Sequence, residues 1–177
     1  MNHVMLDLET MGLRPNAAIV SLGAAHFDAE NVLHTFHTPI SLQSCLDNGL
    51  VTDQSTVDWW MKQSAEARSS WQRDDAPTLS DALSQFGAWL REFATLKTMV
   101  PWSNGADFDI VLMSSAHRAL GADAPWMYYN QRCYRTVRNM FPVAEMPRQG
   151  VHHNALDDAL HQVRVLQLIL KTHGLKL

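Results

Sequence analysis

The first forty residues constrain the fold most tightly, because they hold three β-type runs separated by turn chemistry and set too close together for helices between them. Residues 3–8 form one apolar run and residues 17–27 a second, with Gly12, Pro15 and Asn16 supplying the turn. Residues 28–31 make a hairpin turn into a third run over 32–38, where Val32, His34 and Phe36 alternate with Leu33, Thr35 and His37. The spacing predicts an opening of three antiparallel strands.

The middle of the chain changes period. Ser55 or Thr56 is placed to cap a helix containing Trp59, Trp60 and Gln63, and Thr78 with Asp81 three residues on makes a capping-box pattern. Leu79, Leu83, Phe86, Leu90 and Phe93 then recur at helical spacing. A short strand over 99–102, a helix over 108–120 and a last helix over 154–173 follow. Three strands, helices, a strand and more helices predict an α/β chain whose mixed central sheet is flanked by helices. The chain has 177 residues, no internal repeat and no Gly/Ser linker, so a single domain over 1–177 is expected.

Composition removes several classes. At 46% hydrophobic and 18% charged residues the chain is neither disordered nor membrane-embedded in type. No apolar run is long enough for a bilayer and the first residues lack a signal-peptide layout, so a cytoplasmic location without membrane contact is expected. Cys45 and Cys133 lack the spacing of a zinc site and read as free thiols. A net charge of −4 argues against gripping a duplex by bulk electrostatics. Nucleic acid stays in play, since clustered carboxylates lower net charge and bound cations cancel it locally.

The acids carry the chemistry. Asp7 and Glu9 lie two apart at the end of the first strand, so both point to one face while Leu6 and Leu8 make the other face apolar. Two carboxylates side by side repel unless a cation or shared proton offsets them, and hard cations such as magnesium take oxygen ligands. A solvated acidic pair is the bland alternative. A second acidic stretch, Asn104-Gly105-Ala106-Asp107-Phe108-Asp109, enters a helix after a tight turn, where either acid can serve as an ordinary helix-start residue.

A third stretch, His152-His153-Asn154-Ala155-Leu156-Asp157-Asp158, holds two His/Asp pairs of identical spacing. Helical phase separates the acids: Asp157 shares a stripe with His161, Arg164 and Lys171, whereas Asp158 lies beside Gln162, Val165 and Ile169 at the edge of the packed arc. A carboxylate there is costly without compensation, which favours Asp158 as the functional acid. His153, on the loop just before, is placed to take a proton from water, although a plain capping-region histidine also fits.

Asp7-Leu8-Glu9-Thr10, the 104–109 motif and His153-Asn154-Ala155-Leu156-Asp157-Asp158-Ala159, in that order, resemble the three motifs of the DEDDh (DnaQ-like) 3'-5' exonucleases. The wording of 7–12, 17–28 and 55–68 resembles the phage and prophage branch that includes exodeoxyribonuclease VIII and the DexA-type nucleases. The resemblance implies a ribonuclease H-like fold and two divalent cations, Mg2+ or Mn2+, held by Asp7, Glu9, Asp109 and Asp158, with His153 as general base. It implies hydrolysis from a free 3' end, with single-stranded DNA favoured over RNA. Thr10 and Met11 would contact the terminal nucleotide, and Asn104 in the second motif is placed with them. Phe108 reads either as a base-stacking contact or as a core aromatic at a helix start.

Arg132, Arg135 and Arg138, three apart, would line one side of a helix near a phosphate path, with a solvated basic face as the alternative. The six tryptophans read as core rather than stacking platforms. An exoribonuclease is the rival enzyme, distinguished by how the pocket treats a 2' hydroxyl. A non-catalytic nucleic-acid-binding module is the rival from another class. Nothing in the sequence fixes an oligomeric state.

Overall fold

The computed structural model describes residues 1–69, 71–105 and 107–177. In chain order the elements are β1 (Asn2–Thr10), β2 (Ile19–Phe27), β3 (Val32–Pro39), α1 (Leu42–Asp47), α2 (Gln54–Trp60), α3 (Ala65–Ser69), α4 (Leu79–Arg91), β4 (Met99–Ser103), α5 (Asp109–Ala119), β5 (Arg132–Cys133), α6 (Tyr134–Met140) and α7 (Ala155–His173). The sheet order is β3-β2-β1-β4-β5. β1, β2 and β3 pair antiparallel, and β4 and β5 join in parallel, which makes the sheet mixed as expected.

Helices cover both faces, which explains why every residue of β2 is buried and its sequence does not alternate. Val4, Leu6 and Leu8 of β1 face one core with Ile110, Leu112 and Met113 of α5 and Leu79 and Phe86 of α4. Met5 faces the other, built with Ala159, Val163 and Leu166 of α7. β3 is the exposed edge, and the 28–31 hairpin is closed by Asp28 N–H donating to Asn31 O. No helix among the described residues is long and apolar enough to cross a membrane.

The helix holding Trp59 and Trp60 starts earlier than Ser55 or Thr56 would allow, because Asp53 is its extended N-cap residue. The Asp53 side chain makes no cap bond; it accepts from Leu13 N–H at 2.9 Å and pairs with Arg14 Nε at 3.1 Å, fastening the β1–β2 turn. Thr78 does cap α4, accepting from Asp81 N–H at 3.2 Å. Cys45 and Cys133 are free, and burial pushes the Cys45 thiol up to about 11.

Candidate active site

The site forms where β1 outruns its neighbour. β4 pairs with β1 only as far as Leu6 opposite Ser103, so the next N–H on that side, at Leu8, has no strand partner. Asp109, the first residue of α5, fills the gap: its Oδ1 accepts from Leu8 N–H at 3.1 Å, and the side chain is only 4% exposed. Asp107 is exposed. A bulge between Glu9 and Thr10 bends the strand just past the acids, and α2 is fastened there by Trp60 Nε1 donating to Thr10 O at 2.9 Å.

α7 reaches the same place by a backbone contact. Gly23 of β2 pairs with Asp7, and a Cβ on it would lie 2.2 Å from the carbonyl carbon of Ala155. Only glycine lets the first turn of α7 sit so close to the sheet. Asn154 caps that turn, accepting from Leu156 N–H and Asp157 N–H, and Asp158 then projects into the cleft, 9% exposed. One turn on, Gln162 Nε2 donates to Asp7 Oδ1 at 2.6 Å and ties helix to strand. Sequence phase had put Asp157 on the solvent face. The structure finds it partly buried, latching the preceding loop by accepting from Val151 N–H at 2.7 Å over Gly150.

His153 is the one non-glycine residue among those described with a left-handed backbone, φ 62°. That turn sets its ring edge-on to Trp59, 4.8 Å between centroids, and within reach of the acids. Ligand atoms of Glu9, His153 and Asp158 all lie within 4.8 Å of one another. His152 is exposed and touches the site through the His153 ring, 3.9 Å away.

The electrostatics are those of crowded acids. Burial, then the charge of Asp109, pushes Glu9 up to about 8. Burial, then Asp109 and Glu9, holds Asp7 well above the ordinary carboxylate range, opposed by the Gln162 bond and the charge of Arg148. Burial raises Asp109 to about 7 against the Leu8 N–H bond and Arg135. His153 is pulled below its ordinary value by burial, then by His152 and Arg148, so its imidazole is neutral at neutral pH. Glu9 Oε1 is buried with no hydrogen-bond partner among the described residues. A hard divalent cation fits that orphaned oxygen and this donor set, and would relieve the repulsion.

A cavity of about 420 Å3 opens beside Glu9, lined by Thr10, Leu13, Trp59, Trp60 and Phe108. Thr10 lines it although its hydroxyl is spent on Gly12 O. Phe108 therefore faces a cleft as well as the core. Met11 does not: it is 1% exposed within the core, its N–H bonded to Ala18 and its carbonyl to Asp53. Asn104 keeps Oδ1 buried with no partner among the described residues, while its carbonyl accepts from Arg135. Arg132 lies on β5 and Arg135 and Arg138 on α6, so the three do not share one helix. Five tryptophans are buried or partly buried as expected, and Trp59, 39% exposed in the cleft wall, is the exception. Arg148 and Gln162 were not singled out by sequence reasoning; the signal for Gln162 is its place four residues after Asp158, on the same helix face.

Residues 2–170 match the family described as the 3'-5' exoribonuclease Rv2179c-like domain. The exodeoxyribonuclease of Enterobacteria phage T4 is 27% identical over 205 aligned positions, covering 94% of this chain and 88% of the phage protein. Among solved structures, the nuclease domain of 3'hExo, a DEDDh family member bound to rAMP, gives a TM-score of 0.65 at 14% identity, covering 97% of this chain and 92% of that one. An E. coli ExoI–ssDNA complex gives 0.65 at 13% identity, with 98% of this chain on 40% of the longer one. These neighbours share the ribonuclease H-like fold. The matched family span runs from β1 into α7 and so takes in every element that carries a residue of the cleft; the chain belongs to the 3'-5' exoribonuclease Rv2179c-like domain family, as a 3'-5' exonuclease of the DEDDh type.

Proposed function

We propose that the chain, folded as one exonuclease domain, releases nucleoside 5'-monophosphates stepwise from the 3' end of single-stranded DNA. The observation that carries this reading is the double position of Glu9, which belongs to the acidic cluster and also lines the aromatic cavity. A terminal base stacked on Trp59 or Phe108 would leave its phosphate beside the acids. Thr10 and Asn104 would border that nucleotide. Two divalent cations, Mg2+ or Mn2+, bound by Asp7, Glu9, Asp109 and Asp158, would polarise the scissile phosphate and acidify the attacking water.

The side chains do the rest. Neutral His153 accepts a proton from that water, whose oxygen attacks phosphorus as the bond to the 3' oxygen breaks. The shortened strand keeps the 3' oxygen and takes up a proton. Gln162 holds Asp7 in place, and Trp59 fixes the plane of the His153 ring.

Single-stranded DNA is favoured because the net charge of −4 argues against gripping a duplex by bulk electrostatics, and the T4 relative is named an exodeoxyribonuclease. RNA is the second reading, favoured by the family's description and by the rAMP in 3'hExo. Matched 5'-labelled DNA and RNA oligomers with Mg2+ or Mn2+ decide between them. The expected result is a one-nucleotide ladder on DNA, abolished by EDTA and by Asp7→Ala. A ladder that survives Asp7→Ala, or first products longer than mononucleotides, overturns the mechanism.

A further inference from the structure

Arg148 has no part in the chemistry above, yet it reaches the centre of the site. Its Nη1 donates to Asp158 Oδ1, an oxygen of one of the three residues, with Glu9 and His153, whose ligand atoms gather in the cleft. Among the described residues it is the one basic side chain in an ion pair with any of the four acids. Arg135, on the other side, is held by the Asn104 carbonyl, and Arg138 lies over the Tyr134 ring. The charge of Arg148 bears on Asp7, Glu9 and His153 together.

Its setting allows exchange. Arg148 sits on the 142–153 loop, which Asp157 latches at Val151, so its backbone is placed while its side chain stays 35% exposed. The side chain also borders a cavity of about 710 Å3 with Tyr134, Met146 and His161, open space next to its present position. A cation on Asp158 and a guanidinium on the same oxygen repel, so both cannot hold it. A displaced guanidinium at the rim of a phosphodiesterase cleft has a ready acceptor in a phosphate.

We propose that Arg148 is a stand-in cation: it neutralises Asp158 in the metal-free protein, yields that oxygen when metal binds, and then holds a phosphate oxygen of the substrate strand. This rests on the metal-dependent reading above. Two variants, Arg148→Gln and Arg148→Met, remove the charge while keeping most of the side-chain bulk.

Calorimetric titration of Mn2+ into each protein without nucleic acid should show about fivefold tighter binding in both variants than in the wild type. Oligothymidylate binding, measured by anisotropy with Ca2+ in place of Mn2+ and cleavage checked to be absent, should weaken about fivefold. Its dependence on log salt should become shallower by about 0.7, the loss of one phosphate contact on a single strand. Equal or weaker Mn2+ binding in both variants, or an unchanged salt slope, overturns the role of Arg148 alone. Absence of Mn2+ binding by the wild type overturns the metal-dependent reading with it.

Discussion

At the scale of single residues, the proposed reaction depends on one histidine whose neighbour has the same chemistry. His153 meets Glu9 and Asp158, whereas His152 packs edge-on against the His153 ring. His153→Ala should lower kcat about a hundredfold or more with little change in KM, while His152→Ala should stay within about threefold. Equal losses in the two variants would count against His153 as the base. Removing the Gln162 amide that holds Asp7, as Gln162→Ala, should weaken Mn2+ binding about tenfold by titration calorimetry. Much at this scale was legible. The two-residue period of a strand put Asp7 and Glu9 on one face, and helical phase set buried Asp158 apart from Asp157. The latch that Asp157 makes on Val151 was not, since it depends on a loop that turns back on its own helix. Arg148 was equally hidden, because no periodicity governs where a loop side chain points. Met11 is the opposite case, a motif neighbour of Glu9 that is buried in the core and does not line the cavity.

At the scale of elements, the placement of α7 on the sheet decides whether a site exists. Gly23→Ala puts a methyl group against Ala155 backbone, which cannot give way like a side chain. The variant should lose about 3 kcal/mol of stability in urea titrations and, where still folded, nearly all activity. Asn154→Ala removes a cap bonded to two N–H groups and should cost about 1 kcal/mol, with a smaller loss of turnover. The long elements announced themselves: the three opening strands are apolar or alternating runs between turn residues, and α4 and α7 carry a cap and a helical period. α1, α3 and α6, of six, five and seven residues, are too short to show a helical period, and β5 has two residues. The start of α2 was misplaced because Asp53 caps through its backbone while its carboxylate serves the neighbouring turn.

At the scale of the whole molecule, the acids set how stability responds to pH and metal. Glu9 and Asp109 rise from ordinary values of 4.5 and 3.8 to about 8 and about 7, so the metal-free fold binds protons that the unfolded chain has released. Stability from these groups is present below about pH 4 and is lost as pH climbs through 7 and 8. His153, lowered from 6.5, works in the opposite sense and matters only on the acidic side. Divalent cations bind the ionised acids, so the gap in Tm between Mg2+ and EDTA should widen from pH 5 to pH 8, by about 5 °C or more. Calorimetric scans at unit pH steps measure it, and a constant gap would count against the raised acids. The seating of α7 on Gly23 also has a consequence in time. Translation makes Asp7, Glu9 and Asp109 first, and His153 and Asp158 only afterwards, in the last loop and helix, whose seat is Gly23. Until that helix docks, Asp7, Glu9 and Asp109 stand without Asp158, so a chain still being made holds only part of the acidic cluster.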